Sequence, residues 1–264
     1  SLVPPSFPLS RSSLLPPSSW RRDEGGSQQA QESAGRGATS CLPVVRQVAG
    51  ALGRLRRLAE AALSRVARED ELSDEESDTE GGERVAPMTR MWEEALGFRE
   101  ELEAATEGCE GCRRDVSPFL DVFRSGPGGG FWESLASLAA PRKVDLDILD
   151  VRYAQDSISH MFLRGPHVGQ PIARLVGDLS AGRVCPRTLG VEVVWWHGEL
   201  RALSSRRTWA LKQWAAARDV RVEATLLPLV KGVLDADGRD IVQKFCSTFT
   251  SRNDGLSVRV RGGP

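Results

Sequence analysis

Residues 191–203 leave the chain little choice of conformation. Val191 to Trp196 is a β-branched and aromatic run, the side-chain shape that suits a pleated strand. His197-Gly198 reverses the chain and Glu199 to Leu203 returns as the hairpin partner. Ser204-Ser205-Arg206-Arg207 then opens a helix that continues through Ala210, Leu211, Trp214 and Ala217. A strand pair running straight into a helix requires a sheet with a helix on its face. The flanking residues extend this grammar. Val144 to Val151 alternates apolar residues with Asp145, Asp147 and Asp150, as a half-buried strand does. Asp156 or Ser157 is placed to cap a short helix with Ile158, Met161 and Phe162 inward. Pro171 opens a helix bearing Ile172, Leu175, Val176 and Leu179, and Gly182 stops it. A strand over Arg221 to Leu229 follows, then a helix holding Ile241, Val242, Phe245, Cys246 and Phe249. Asn253-Asp254-Gly255 ends that helix, and Leu256 to Arg261 forms a last strand. Residues 141–264 therefore predict a small mixed-sheet α/β (α+β) domain.

The first 140 residues read differently. Residues 1–40 are rich in Ser, Pro, Gly and Gln and have almost nothing to bury, the signature of a disordered tail. Residues 1–22 carry Arg11, Arg21 and Arg22 without acids, a weak likeness to an organellar transit peptide that the prolines oppose. Over 41–68 the pattern becomes helical. Val45, Val48, Leu52, Leu55, Ala59, Ala62 and Val66 recur at steps of three and four, and six arginines make the helix basic. Docking on the chain's own domain, pairing with a partner protein or coiled-coil helix, and serving as a membrane-surface or calmodulin-target helix are the readings open to it; the first two are preferred. Small alanines and short length argue against an independent coiled coil. Residues 69–86 form an acidic linker in which Ser73 and Ser77 each precede an acid by three residues. Within 87–140 a helix is expected over Thr89 to Ala105, then a loop holding Cys109-Glu110-Gly111-Cys112, a glycine hinge over 126–130 and a short helix over 131–139.

Charge is unevenly distributed. Residues 1–139 hold 16 Lys/Arg against 23 Asp/Glu, a balance of −7, and residues 140–264 hold 19 against 13, a balance of +6. A basic folded half suits an anionic partner. The five cysteines, at 41, 109, 112, 185 and 246, are odd in number and scattered, so they imply no disulfide framework and favour a reducing, cytoplasmic or nuclear, setting. Cys109 and Cys112 offer half of a zinc site, but no second pair or neighbouring His completes it in sequence, so no metal is expected. His160, His167 and His197 are read as surface or turn residues. No apolar run approaches the roughly 18 residues that a membrane span needs.

Three motifs carry a resemblance. These are Tyr153-Ala154-Gln155-Asp156-Ser157-Ile158, Arg206-Arg207-Thr208-Trp209-Ala210-Leu211-Lys212 and Asn253-Asp254-Gly255-Leu256-Ser257-Val258. Together with the order helix, Gly182, strand, turn, strand and arginine-bearing helix, they make the region 142–230 resemble the ParB amino-terminal/sulfiredoxin superfamily in its divergent eukaryotic and algal form. The resemblance implies that the helix opening at Ser204 binds phosphate, through Arg206 and Arg207 with Ser204, Ser205 and Gln155 in support. The first turn of a helix presents unpaired N–H groups and the positive end of its dipole, and guanidinium groups add bidentate bonds. The implied ligand is a nucleotide with Mg²⁺, ahead of nucleic acid; the bland alternative for the two arginines is a structural ion pair with Asp156 or Asp178.

Departures narrow the activity. Ser204-Ser205 replaces the family's Gly-Glu, and sulfiredoxin's cysteine is missing from the turn, which removes the thiol that its chemistry needs. No helix-turn-helix follows the domain to read DNA. A metal-dependent nuclease would need carboxylates gathered from Asp145, Asp147, Asp150 and Asp156. A non-catalytic protein-interaction scaffold is the other alternative. Trp195, Trp196, Trp209 and Trp214 are candidates for base stacking, whereas Asp235-Ala-Asp237-Gly238 is a turn.

Overall fold

The computed structural model describes residues 41–72, 85–127, 130–216 and 220–262. The expected tail, most of the acidic linker and part of the glycine hinge lie outside them. The described chain is α+β: seven α-helices, a mixed five-stranded sheet and a separate strand pair.

Four helices come first: α1 (Leu42–Leu72), α2 (Val85–Ala105), α3 (Glu110–Val122) and α4 (Phe131–Leu138). Then follow β1 (Arg142–Asp147), β2 (Arg152–Tyr153), β3 (Ser157–Ser159), α5 (Ile172–Ser180), β4 (Val191–Trp196), β5 (Glu199–Ala202), α6 (Ser205–Ala215), β6 (Arg221–Leu226), α7 (Ile241–Thr248) and β7 (Arg259–Arg261). The large sheet runs β1-β6-β4-β5-β2, and β3 pairs in parallel with β7. β4 lies at its centre, parallel to β6 and antiparallel to β5. Apolar side chains on both faces of β4 explain why its hydrophobic residues do not simply alternate. Val191 and Val193 pack with Ile172 and Leu175 of α5 and Leu211 of α6; Val194 and Trp196 pack on the opposite side, in the core built by α1–α4 and α7. The molecule is thus a sheet between two helical layers.

The stripe on α1 docks on the chain itself. Val45, Val48, Leu52, Leu55, Ala59 and Ala62 are buried, and Val66, 40% exposed, emerges from the contact. Gly53 marks a close approach: a Cβ there would stand 2.8 Å from the Lys231 carbonyl, beside the bond from Lys231 N–H to Ala49 O at 3.0 Å. The boundary expected at 140/141 does not separate two cores, because one apolar cluster spans it, from Val45 to Phe249.

The sequence expectations differ from the fold at several elements. α1 continues to Leu72, into the acidic run. The strand expected over 144–151 stops at Asp147, whose side chain caps a 3₁₀ turn over Ile148–Asp150. The helix expected after Asp156 is β3 instead. The 1,4 spacing of Ile158 and Phe162 fits either element, but pairing with β7, about a hundred residues later, selects the strand. The last helix ends at Thr248, well before Asn253.

Candidate functional site

The first turn of α6 lies where the sheet meets the α5 and α6 layer. Ser204 does not cap the helix; its hydroxyl accepts instead from the Glu192 N–H at 3.0 Å, tying the turn to β4. The N–H groups that open α6 therefore have no side-chain cap. Ser205 and Thr208 are buried, and their hydroxyls have no hydrogen-bond partner. The paired arginines diverge. Arg207 donates to Gly190 O at 2.8 Å and edges a cleft of about 380 Å³ shared with Arg183, His167 and Cys185. Arg206 leans the other way, with a buried Nε that finds no partner. Burial, and then the charge of Arg261 on β7, lower its pKa. Neither arginine takes the ion pairs considered for it, since Asp156 and Asp178 pair with Arg252 and Arg183. Gln155 is half-buried in the β2–β3 connection and does not line the cleft.

The other sequence candidates disperse. Arg221 binds Asp145, Asp147 caps its turn and Asp156 accepts from Arg252 N–H, so no group of three carboxylates gathers among the described residues. None of Trp195, Trp196, Trp209 and Trp214 is exposed. Asp235 closes the expected turn by accepting from Asp237 and Arg239 N–H.

On the opposite side of the sheet the fold completes the half-site that the sequence left open. Cys109 is the N-cap of α3 rather than a loop residue, and its sulfur accepts from the Cys112 N–H at 3.3 Å. Cys41, just before α1, places its Sγ 3.3 Å from that of Cys109. His197, in the β4–β5 turn, brings Nε2 to 3.5 Å from Cys112 Sγ and 3.8 Å from Cys109 Sγ. All four ligand atoms lie within 4.8 Å of one another. The turn is aimed by Asp115 of α3, whose carboxylate accepts from the N–H groups of His197 (2.7 Å) and Gly198 (3.0 Å). Gly111 makes the room, because a Cβ there would stand 2.7 Å from the imidazole.

The electrostatics suit ligation by His197 and Cys109 and oppose a bare thiolate at Cys112. Burial, and then Arg201, lower the His197 pKa to about 4, so the imidazole is neutral at pH 7. Burial raises the Cys109 thiol, but bonds from Cys112 and Cys41 outweigh it and leave the pKa below the ordinary value. Burial pushes the Cys112 thiol up and the Asp115 carboxyl up to about 6. The sequence signal was Cys-x-Gly-Cys; its partners stand 68 and 85 residues away. The chain matches no family model, no curated protein and no solved structure.

Proposed function

We propose that the chain is a ParB-like module that binds a phosphate-bearing ligand, nucleotide ahead of nucleic acid, at the start of α6. One observation carries this reading: an uncapped helix start flanked by the Arg206 and Arg207 guanidiniums, with Arg207 on the rim of a cleft that also holds Arg183. Uncapped N–H groups and guanidiniums are the donors a phosphate needs. Catalysis is not part of the proposal, because the acidic group of the family's turn is replaced by Ser204-Ser205. A protein partner using residues 42–68 would meet the outer, arginine-bearing side of α1, since the apolar side is covered by the chain's own core.

A thermal-shift panel of nucleotides, with and without Mg²⁺, tests the reading, because a ligand that binds only the native state raises the midpoint. Arg206→Ala with Arg207→Ala should abolish the shift and leave the ligand-free midpoint nearly unchanged. Each charge-assisted bond contributes about 1.5–3 kcal/mol, so an unaltered binding curve in the double variant would overturn the site. Salt separates the ligand classes. A nucleotide touching two or three phosphates gives a shallow salt slope, whereas a single strand loses affinity with a log–log slope of about −0.7 per phosphate contacted.

A further inference from the structure

We propose that Cys41, Cys109, Cys112 and His197 bind one zinc ion in a closed tetrahedral site that fastens the helical layer to the β4–β5 hairpin. The donor set is three sulfurs and one imidazole nitrogen, which suits zinc among the common divalent ions. With Zn–S near 2.3 Å and Zn–N near 2.0–2.1 Å, a tetrahedron places sulfur about 3.8 Å from sulfur and about 3.6 Å from nitrogen. The sulfur–nitrogen distances here, 3.5 and 3.8 Å, already match. The Cys41–Cys109 and Cys109–Cys112 separations, 3.3 and 2.7 Å, are tighter. An ion would open the sulfurs by roughly an ångström at most.

Sulfurs so close are not at rest as bare thiols. Even smaller carbon atoms settle at about 3.5–4.0 Å, and three thiolates at this range repel unless a cation stands among them. Cys109 caps α3, where the helix dipole supports a thiolate, and Arg114 and Arg201 act electrostatically on the same hairpin. Three thiolates and one zinc ion leave a net charge of −1, with Arg114 and the Asp254-paired Arg201 as the nearby cations. Four protein ligands leave no position for water or substrate, so the site is structural. Two further details aim ligands and have no other evident use: the Asp115 clasp on the hairpin backbone and the missing side chain at Gly111.

The test uses the full chain, purified under reducing conditions. Metal analysis should return one zinc per chain, in the wild type and in C185S and C246S alike. Stripping the ion with a chelator should lower the thermal midpoint by about 10 °C, the shift expected when free ion exceeds its Kd a thousandfold, and zinc should restore it. Cobalt(II) chloride added to the stripped wild-type chain should give the intense thiolate-to-metal absorption of a tetrahedral site, a readout that requires no variant to fold. H197A, C41S, C109S and C112S should each weaken cobalt binding beyond the 10–100-fold that loss of an outer-shell partner costs. H197C should retain it, as a residue that merely packs would not. G111A should weaken binding while leaving the ligand set intact. Failure of the stripped chain to take up cobalt, a spectrum lacking thiolate bands, or a Cys109–Cys112 disulfide in the reduced preparation would each overturn the proposal.

Discussion

At the scale of single residues, the Asn-x-Gly motif shows how a recognisable pattern can hide its reason. Gly255 has φ +73°, and a Cβ on it would stand 2.2 Å from the Tyr153 carbonyl oxygen, far inside van der Waals contact. Its carbonyl accepts from the Tyr153 N–H at 2.8 Å, and the adjacent Asp254 takes the buried Arg201 guanidinium at 2.5 Å. Gly255→Ala should therefore destabilise the chain by more than the backbone conformation alone explains. Gly182 has a similar φ, +69°, with nothing within 4 Å of its Cβ position, so Gly182→Ala isolates the conformational part, about 1–3 kcal/mol. The Gly255 variant should cost at least about 2 kcal/mol beyond that, read as the difference in urea midpoints; equal midpoints would remove the close approach as the cause. The motif was visible in sequence, but the strand that lands on it was not. The same holds for His197, which has no ligating neighbour in sequence and acquires three cysteines only through the fold.

Among the elements, the junction of β4, α7 and the preceding turn rests on charge. Lys244 of α7 reaches Glu192 of β4 at 3.0 Å and Asp235 at 2.7 Å, and Arg239 also holds Asp235. Burial pushes the Asp235 carboxyl up, but the bonds from Lys244 and from Arg239 N–H outweigh it and hold the pKa below the ordinary value. A depressed acid contributes stability that is present above its unfolded pKa and lost as pH falls through the folded one. Lys244→Met should cost about 3 kcal/mol at neutral pH, because the buried Glu192 carboxylate loses its cation and Asp235 keeps only Arg239. That deficit should shrink below about pH 4, the range of an unfolded carboxyl, as Asp235 takes up its proton. Urea unfolding of both proteins at pH 7 and pH 3.5 measures it, and a deficit independent of pH would mean that lost packing, not charge, sets the cost. Element by element, legibility followed locality. The β4–β5 hairpin is readable because its strands and turn are contiguous; β3 reads as helix because its strand partner, β7, lies about a hundred residues on.

Across the whole molecule, composition suggested a helical preface and a separate domain, but the two halves bury one another. A chain beginning at residue 140 would bare Val194, Trp196, Leu227, Phe245 and Phe249, all part of the core that α1–α4 complete. It should bind a hydrophobic dye and unfold without a cooperative transition, whereas a sharp transition at the full chain's midpoint would demonstrate two independent cores. The sequence could not show this, because an amphipathic stripe announces that a helix needs a partner without saying which surface supplies it. The shared core also fixes an order of events during translation. The ribosome makes the apolar side of α1 first, and Phe249, on the far wall of the same core, leaves it nearly two hundred residues later. At about 5–20 residues per second that interval lasts roughly 10–40 seconds. α2 and α4 can close on α1 well before then, but the wall that β4 and α7 supply comes last, so the nascent chain keeps part of this apolar core open through the interval.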